Sequence, residues 1–364
     1  MTAGRPPAAG LRGSAEPLVR AYDVALLDLD GVVYLGSRPV DGAIAAIAAA
    51  RAQGMRFAFV TNNASRTPTA VADRLAAMGL PASPDEVVTS AQAAARLVAE
   101  RFGGGVPVLP VGGEGLREAL RAVGGELVAS ADDEPAAVVQ GFAAELRYAD
   151  LAEAALAVAR GAWWVATNAD LTLPTDRGLL PGNGALVGAV ATAAGRGPDA
   201  VAGKPERALL AEALRRTGAT CPLMVGDRFD TDIEGAVRGG VDSLWVSTGV
   251  ASGADLVRAP VGRRPSYVGA DVRALLDAHE APVRDGAGWR CGEWRAEVRD
   301  EEVHAWRSAG GEAVDLLRVT AAAAWASADA GRPVSGVRLS PADVSAARSV
   351  GLDRLLTAGD APVG

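Results

Sequence analysis

Short apolar runs alternate with alanine-rich amphipathic segments along most of the chain, and that alternation sets the first expectation of its fold. Residues 24–27 are apolar without a polar break, the pattern of a strand buried on both faces. Residues 44–52 predict a helix closed by Gly54, and residues 55–60 predict a second strand. That strand ends in Thr61-Asn62-Asn63-Ala64-Ser65-Arg66-Thr67-Pro68, a polar stretch before a helix at 69–78. The rhythm continues with helices at 90–102, 114–123 and 151–160 and strands at 106–111, 138–139 and 164–167. A helix at 185–194 is expected to return the chain to the first sheet. Helices at 207–217 and 233–238 and strands at 223–225 and 244–246 complete a β–α alternation that implies a parallel sheet with right-handed crossovers. From residue 289 the pattern changes. Polar/apolar alternation over 289–298 predicts an edge strand or hairpin, and residues 315–330 and 341–356 predict helices.

Composition narrows the class. With 49% hydrophobic and 22% charged residues the chain reads as an ordinary soluble globular protein. Its net charge of −8 argues against a broad nucleic-acid surface, so any anion site must be local. Cys221 and Cys291 fit neither a disulfide framework nor a zinc cluster, and His279 and His304 are too few for histidine-based chemistry. No apolar run approaches the ~18–20 residues of a membrane span. The first twenty residues lack the order of a signal peptide, so a cytoplasmic setting is expected.

The apolar runs deliver the candidate chemistry at their carboxyl ends, where open α/β sheets bind ligands. Asp28 and Asp30 stand one residue apart before Gly31. Two carboxylates so close repel unless a cation or a shared proton compensates; the alternative is a pair of ordinary turn residues. Thr61, Asn62 and Asn63 offer hydroxyl, amide and backbone donors, or a plain turn. Lys204, in Gly203-Lys204-Pro205-Glu206, stands at a helix start, where it opposes the helix dipole. A nearby anion would account for it, and so would a surface position. Asp227, Asp230 and Asp232 crowd one strand end, which suits a hard cation such as Mg²⁺ or simply an acidic loop with a helix cap. Gly112, Gly113 and Gly115 fall short of a dinucleotide loop, because Glu118 stands where the last glycine is required.

The order of these signals (D-x-D-G, T-N-N, G-K-P, G-D-x-x-x-T-D) resembles the four motifs of the haloacid dehalogenase superfamily of phosphohydrolases. Positions 64–203, 140 residues between Asn63 and Lys204, give room for an inserted domain. The chain is thus similar to the subclass with a large α/β (C2-type) cap, which includes 4-nitrophenyl-phosphatase-like enzymes, pyridoxal-phosphate phosphatases and glycerol-phosphate phosphatases. Phrases such as Ala166-Thr167-Asn168-Ala169-Asp170 and Pro181-Gly182-Asn183-Gly184-Ala185 carry that likeness. It is most similar to actinobacterial glycerol 3-phosphate phosphatases, which also carry a C-terminal domain likened to an acetyltransferase fold.

The resemblance implies an α/β architecture: a Rossmann-like core at 20–84 and 186–281, a cap at 85–185 and a small α+β domain at 289–364. A flexible tail at 1–19 and a linker near 281–288 complete it. It further implies that Asp28 is the nucleophile, forming an aspartyl-phosphate, and that Asp30 is the general acid and base. Mg²⁺ would be held by Asp28, the Asp30 carbonyl and Asp227, with Asp232 behind them. Thr61, Asn62, Asn63 and Lys204 would hold the phosphoryl group. Gly141, Phe142, Glu145 and Asn168 would contribute to specificity, although Ala143 and Ala144 stand where relatives commonly carry an acid. The expected partner is a small phosphorylated metabolite, glycerol 3-phosphate first. Pyridoxal phosphate, a nucleotide or a sugar phosphate are alternatives on the same chemistry, and a binding protein without turnover is an alternative of another class. No nucleic-acid or membrane partner is expected, and a homodimer is compatible with the family.

Overall fold

Val24–Leu27 forms the expected strand, and all its side chains are buried. It lies in a computed structural model that describes residues 10–175, 177–308 and 310–357. Those residues divide into two compact units, one within Met1–Leu35, Pro39–Arg56 and Thr220–Gly364, the other within Gly36–Arg38 and Phe57–Ala219. These limits differ from the boundaries expected at 84/85 and 185/186.

In the first unit, Val24–Leu27 pairs in parallel with Pro222–Gly226, which pairs with Asp242–Val246 and then with Tyr267–Gly269. The register sets Leu27 beside Val225 and Gly226 beside Trp245. The strand ends carrying Asp28 and Asp227 therefore lie next to each other. The tail expected at 1–19 is held where it is described. Residues 1–9 lie outside those described, but Arg12 pairs with Asp242, its N–H donates to Ser266 O (2.8 Å), and Ser14 bridges His279.

The C-terminal residues form a five-stranded sheet, Val283–Asp285, Gly288–Cys291, Trp294–Arg299 and Glu302–Arg307 antiparallel, with Gly336–Arg338 parallel at the edge. Helix Ala313–Asp329 makes the crossover that a parallel pair requires. These residues form the small α+β domain expected there, and they share one apolar core with the preceding part of the unit. Trp294, Val303, Leu316, Leu317 and Trp325 cluster with Phe229, Ile233, Trp245 and Leu256. The helix expected at 341–356 is broken: Val344–Ser349 is helical, then Gly351 at φ 71° turns the chain.

A buried polar group crosses this core. His279 bonds Ala274 O through Nε2 (2.8 Å), and Nδ1 accepts from Arg318 Nη2 (3.0 Å). Because the guanidinium can only donate, the ring is neutral with its proton on Nε2. Arg318 also donates to Asp315 and to Val268 O. Burial, reinforced by the Arg318 charge, holds the His279 pKa below its ordinary value of 6.5, although the Ala274 bond and the Asp277 and Asp315 carboxylates oppose this. A group with a depressed folded pKa contributes stability above its unfolded pKa and loses it as pH falls through the folded one. Stability should therefore decline as pH drops below 6.5. A His279→Gln protein should show a flatter profile in urea unfolding between pH 7.5 and 5.5; parallel profiles would remove His279 as the cause.

In the second unit, Arg56–Thr61 pairs with Val87–Thr89, setting Thr61 beside Thr89. Helix Pro68–Ala77 starts with proline at its first position and Thr67 Oγ1 accepting from Ala70 N (3.1 Å). A separate five-stranded parallel sheet runs in the order Ala200–Val201, Trp163–Ala166, Ala137–Gln140, Pro107–Val111 and Glu126–Leu127. Helices Tyr148–Ala159 and Asn183–Ala194 cover it. The second of these was expected to rejoin the first sheet. Instead Val187 and Val190 are buried with Trp164 and Val158, and Ala200–Val201 closes the sheet's edge. The inserted layer therefore extends past residue 185 to residue 201. Gly113 and Gly115 also find their reason here, because a Cβ on either would collide with the backbone of Ser65 or Arg66.

Candidate active site

The first unit gathers carboxylates. Asp28 follows its strand directly, and its N–H donates to Val225 O (2.9 Å). Leu29 O then accepts from the N–H groups of Val33 (2.9 Å) and Tyr34 (3.1 Å), and Gly31 turns the chain at φ 86°. A side chain at Gly31 would need a left-handed conformation that most residues avoid, and its Cβ would lie 2.6 Å from the Asp227 carboxylate. Asp28, Asp227 and Asp232 are all buried, and each offers an oxygen within 4.8 Å of the others. Asp30 stands outside this cluster with an exposed side chain.

Asp227 is gripped by its surroundings. Its carbonyl accepts from Trp245 Nε1 (2.8 Å) and its carboxylate from Val250 N (2.7 Å). Gly249 presses so closely that any side chain there would overlap the carboxylate. Arg228 N donates to Asp232 Oδ2 (3.1 Å) within a wide π-type turn, Phe229–Ile233. Asp232, expected behind the metal ligands, thus belongs to the carboxylate cluster itself. Burial pushes the Asp230 pKa up, but its ion pair with Arg228 outweighs that and holds it below the usual range.

The second unit holds a buried lysine. Lys204 is buried, and its Nζ donates to Val60 O (3.3 Å). The Asn62 side chain accepts from Lys204 N (2.8 Å) and donates to Lys204 O (3.1 Å) and to Asp170 Oδ2 (3.1 Å). Both amide hydrogens are therefore used internally. Asn62, expected to lend an amide to the phosphoryl group, instead fixes the backbone of Lys204 across 142 residues of sequence. Asn168, expected in the specificity set, donates to Asn62 O (2.8 Å), as does Ser90 Oγ (2.6 Å). Asn63 bends its own loop, accepting from Ser65 N and Ser65 Oγ (2.9 and 2.8 Å). The Thr61 hydroxyl accepts from Asn63 N (3.1 Å).

Of the remaining specificity residues, Gly141 is buried at the sheet end, Phe142 is half-buried and Glu145 is exposed. Gly141 N donates to Val111 O (2.8 Å). Sequence reasoning missed Asp170, Ser90, Trp245 and the Ser247–Gly249 turn. Asp170 alone carried a signal, as the acid closing the Ala166–Asp170 phrase.

Residues 25–126 match the family model of haloacid dehalogenase-like hydrolases, and residues 201–275 match an HAD-hydrolase-like model. Residues 291–351 match a GCN5-related N-acetyltransferase-like domain. A D-glycerol 3-phosphate phosphatase of Mycobacterium tuberculosis is 48% identical over 274 residues, which cover 75% of this chain and 76% of that protein. The chain belongs to the haloacid dehalogenase-like hydrolases. An acid sugar phosphatase of Staphylococcus aureus matches this hydrolase at 39% identity, over 71% of its chain and 98% of the relative. A crystal structure of a glycerol phosphate phosphatase from M. tuberculosis, in complex with magnesium, superposes with a TM-score of 0.83. It is 41% identical and covers 93% of this chain and 99% of its own, so the likeness includes the C-terminal residues. With such relatives the hydrolase is an enzyme acting on phosphoric monoesters.

The carboxylate cluster of this hydrolase suits a divalent cation. At 4.8 Å separation, ionised carboxylates repel by roughly 3 to 4 kcal/mol per pair at an effective dielectric of about 20. All-oxygen donors in a buried site are what a hard cation such as Mg²⁺ selects, and its charge would offset that repulsion.

Proposed function

We propose that this hydrolase is a Mg²⁺-dependent phosphomonoesterase whose substrate is glycerol 3-phosphate. The observation that carries the reading is the trio Asp28, Asp227 and Asp232, buried at adjoining strand ends. Bound there, Mg²⁺ would neutralise charge on the carboxylates and on a phosphoryl group. Asp28, its backbone fixed by Val225, would be the carboxylate nucleophile. It would attack phosphorus as the alcohol leaves, giving an aspartyl-phosphate that water then cleaves. Asp30, exposed and so able to exchange protons with solvent, would protonate the leaving alcohol and then take the proton of the attacking water. Lys204, fixed by Asn62, would hold phosphoryl oxygens as charge develops, and the Thr61 hydroxyl would serve beside it.

The substrate rests on the relatives named for glycerol phosphate; Ala143 and Ala144, where relatives commonly carry an acid, lend it no support. The acid sugar phosphatase relative favours a sugar phosphate as the second choice. Phosphate release should be measured over polyol phosphates, sugar phosphates, pyridoxal phosphate and nucleotides, with Mg²⁺ and with a chelator. Glycerol 3-phosphate should give the highest kcat/KM, and the chelator should abolish turnover. A ranking that leaves glycerol 3-phosphate among the poorest substrates would overturn the assignment, and sugar phosphates at the top would favour the second reading.

A further inference from the structure

The carboxylate of Asp227 accepts from the peptide N–H of Val250, in the turn after the strand Asp242–Val246. Thr248 Oγ1 ties the same turn to Gly31 O (2.5 Å). What holds the turn on its other side is the C-terminal segment. The turn runs into the short helix Gly253–Val257, whose first residue lies against the Val350 carbonyl and Leu317 Cδ1. Ala254 N donates to Gly351 O (2.9 Å), and Trp325 Nε1 donates to Leu256 O (2.9 Å). Both partners come from the C-terminal residues. A second arm reaches the Asp227 backbone. Trp245, whose indole bonds Asp227 O, stacks on Phe229 with ring centroids 5.1 Å apart. Both rings lie in the core built with Trp294, Leu316 and Leu317.

We propose that the acetyltransferase-like segment acts as a brace for the cation site, holding Asp227 in its ligating position through the turn at Ser247–Ser252, with Gly253 as the pin between them. A carboxylate whose orientation is supplied by neighbours binds a metal more tightly than one that must be ordered on binding, because the ordering entropy is already lost on folding. Gly253 is a positioning residue in this scheme. Its φ is not in the left-handed region, so an added methyl acts through the contacts with Val350 and Leu317 and not through backbone strain. The proposal rests on the cation site of the functional reading above.

The test is calorimetric titration of the full-length protein with Mg²⁺, at a temperature well below its unfolding midpoint. Gly253→Ala should weaken Mg²⁺ binding about tenfold, the low end of what loss of a supporting partner costs a metal site. Its kcat at saturating Mg²⁺ should stay within about twofold of the parent, because the reacting groups are untouched and only cation affinity is lost. Should that protein fail to fold, Trp325→Phe keeps the packing and removes the Leu256 bond. It should weaken binding about threefold, in the range of one lost hydrogen bond. Val303→Ala, buried in the same segment on the strand Glu302–Arg307, should lower the unfolding midpoint and leave Mg²⁺ affinity unchanged. Unchanged affinity in a folded Gly253→Ala or Trp325→Phe protein overturns the brace alone. No Mg²⁺ binding by the parent overturns the functional reading and the brace with it.

Discussion

An Asp28→Asn protein should release phosphate at least about 10⁴-fold more slowly than the parent, as expected when the nucleophile itself is removed. The amide keeps the shape of the carboxylate and cannot displace an alkoxide from phosphorus. The fold should survive, because the Asp28 backbone bond to Val225 does not involve the side chain. The same substitution has a second consequence of opposite sign. With the cation chelated, three carboxylates within 4.8 Å become two, so the variant should resist urea at least as well as the parent. With Mg²⁺ the parent should gain more, because it offers the full donor set. Turnover within about tenfold of the parent would be incompatible with Asp28 as nucleophile.

Trp294→Ala should cost about 3–5 kcal/mol, the range for deleting a fully buried large aromatic side chain. Trp294 is wholly buried, its indole N–H donates to Glu312 O (3.0 Å), and the Arg307 guanidinium covers its face 4.7 Å away. Because its core continues through Leu317 to Trp245 and Phe229, the loss should be felt beyond the C-terminal sheet. Urea unfolding followed by tryptophan fluorescence and by residual phosphatase activity should shift together to lower denaturant. A C-terminal transition that separates from the loss of activity, or a cost below about 1 kcal/mol, would mean that the two parts do not share their stability.

Chemistry concentrated at strand ends was legible in the chain. The resemblance paired Asp28 with Asp227, and the parallel pairing of their strands sets the two carboxyl ends side by side. The nearness of Asp232 to Asp28 was not legible, since sequence gives spacing along a turn and not the wide π-type turn that folds Asp232 back toward Asp28. Asn62 was misread for a related reason. Its amide looks available until Lys204, far along the chain, takes up both its oxygen and a hydrogen. The helix Asn183–Ala194 shows the limit of periodicity, which reveals that Val187 and Val190 are buried and not against which sheet. The N-terminal stretch read as a tail because its composition is polar and small. An ion pair of Arg12 with Asp242, backbone bridges to Ser266 and His279, and the burial of Leu18 and Val19 hold the described part of it.

The shared apolar core also bears on how such a chain changes over generations. Once Trp294, Leu316 and Trp325 cover Trp245 and Phe229, further apolar substitutions beneath them meet no solubility penalty. Each one makes the uncovered catalytic half more prone to aggregate, so a stop codon near residue 281 becomes steadily harder to tolerate. A segment that covers such a core is in this way made indispensable by its neighbour's drift, whether or not it catalyses a reaction of its own.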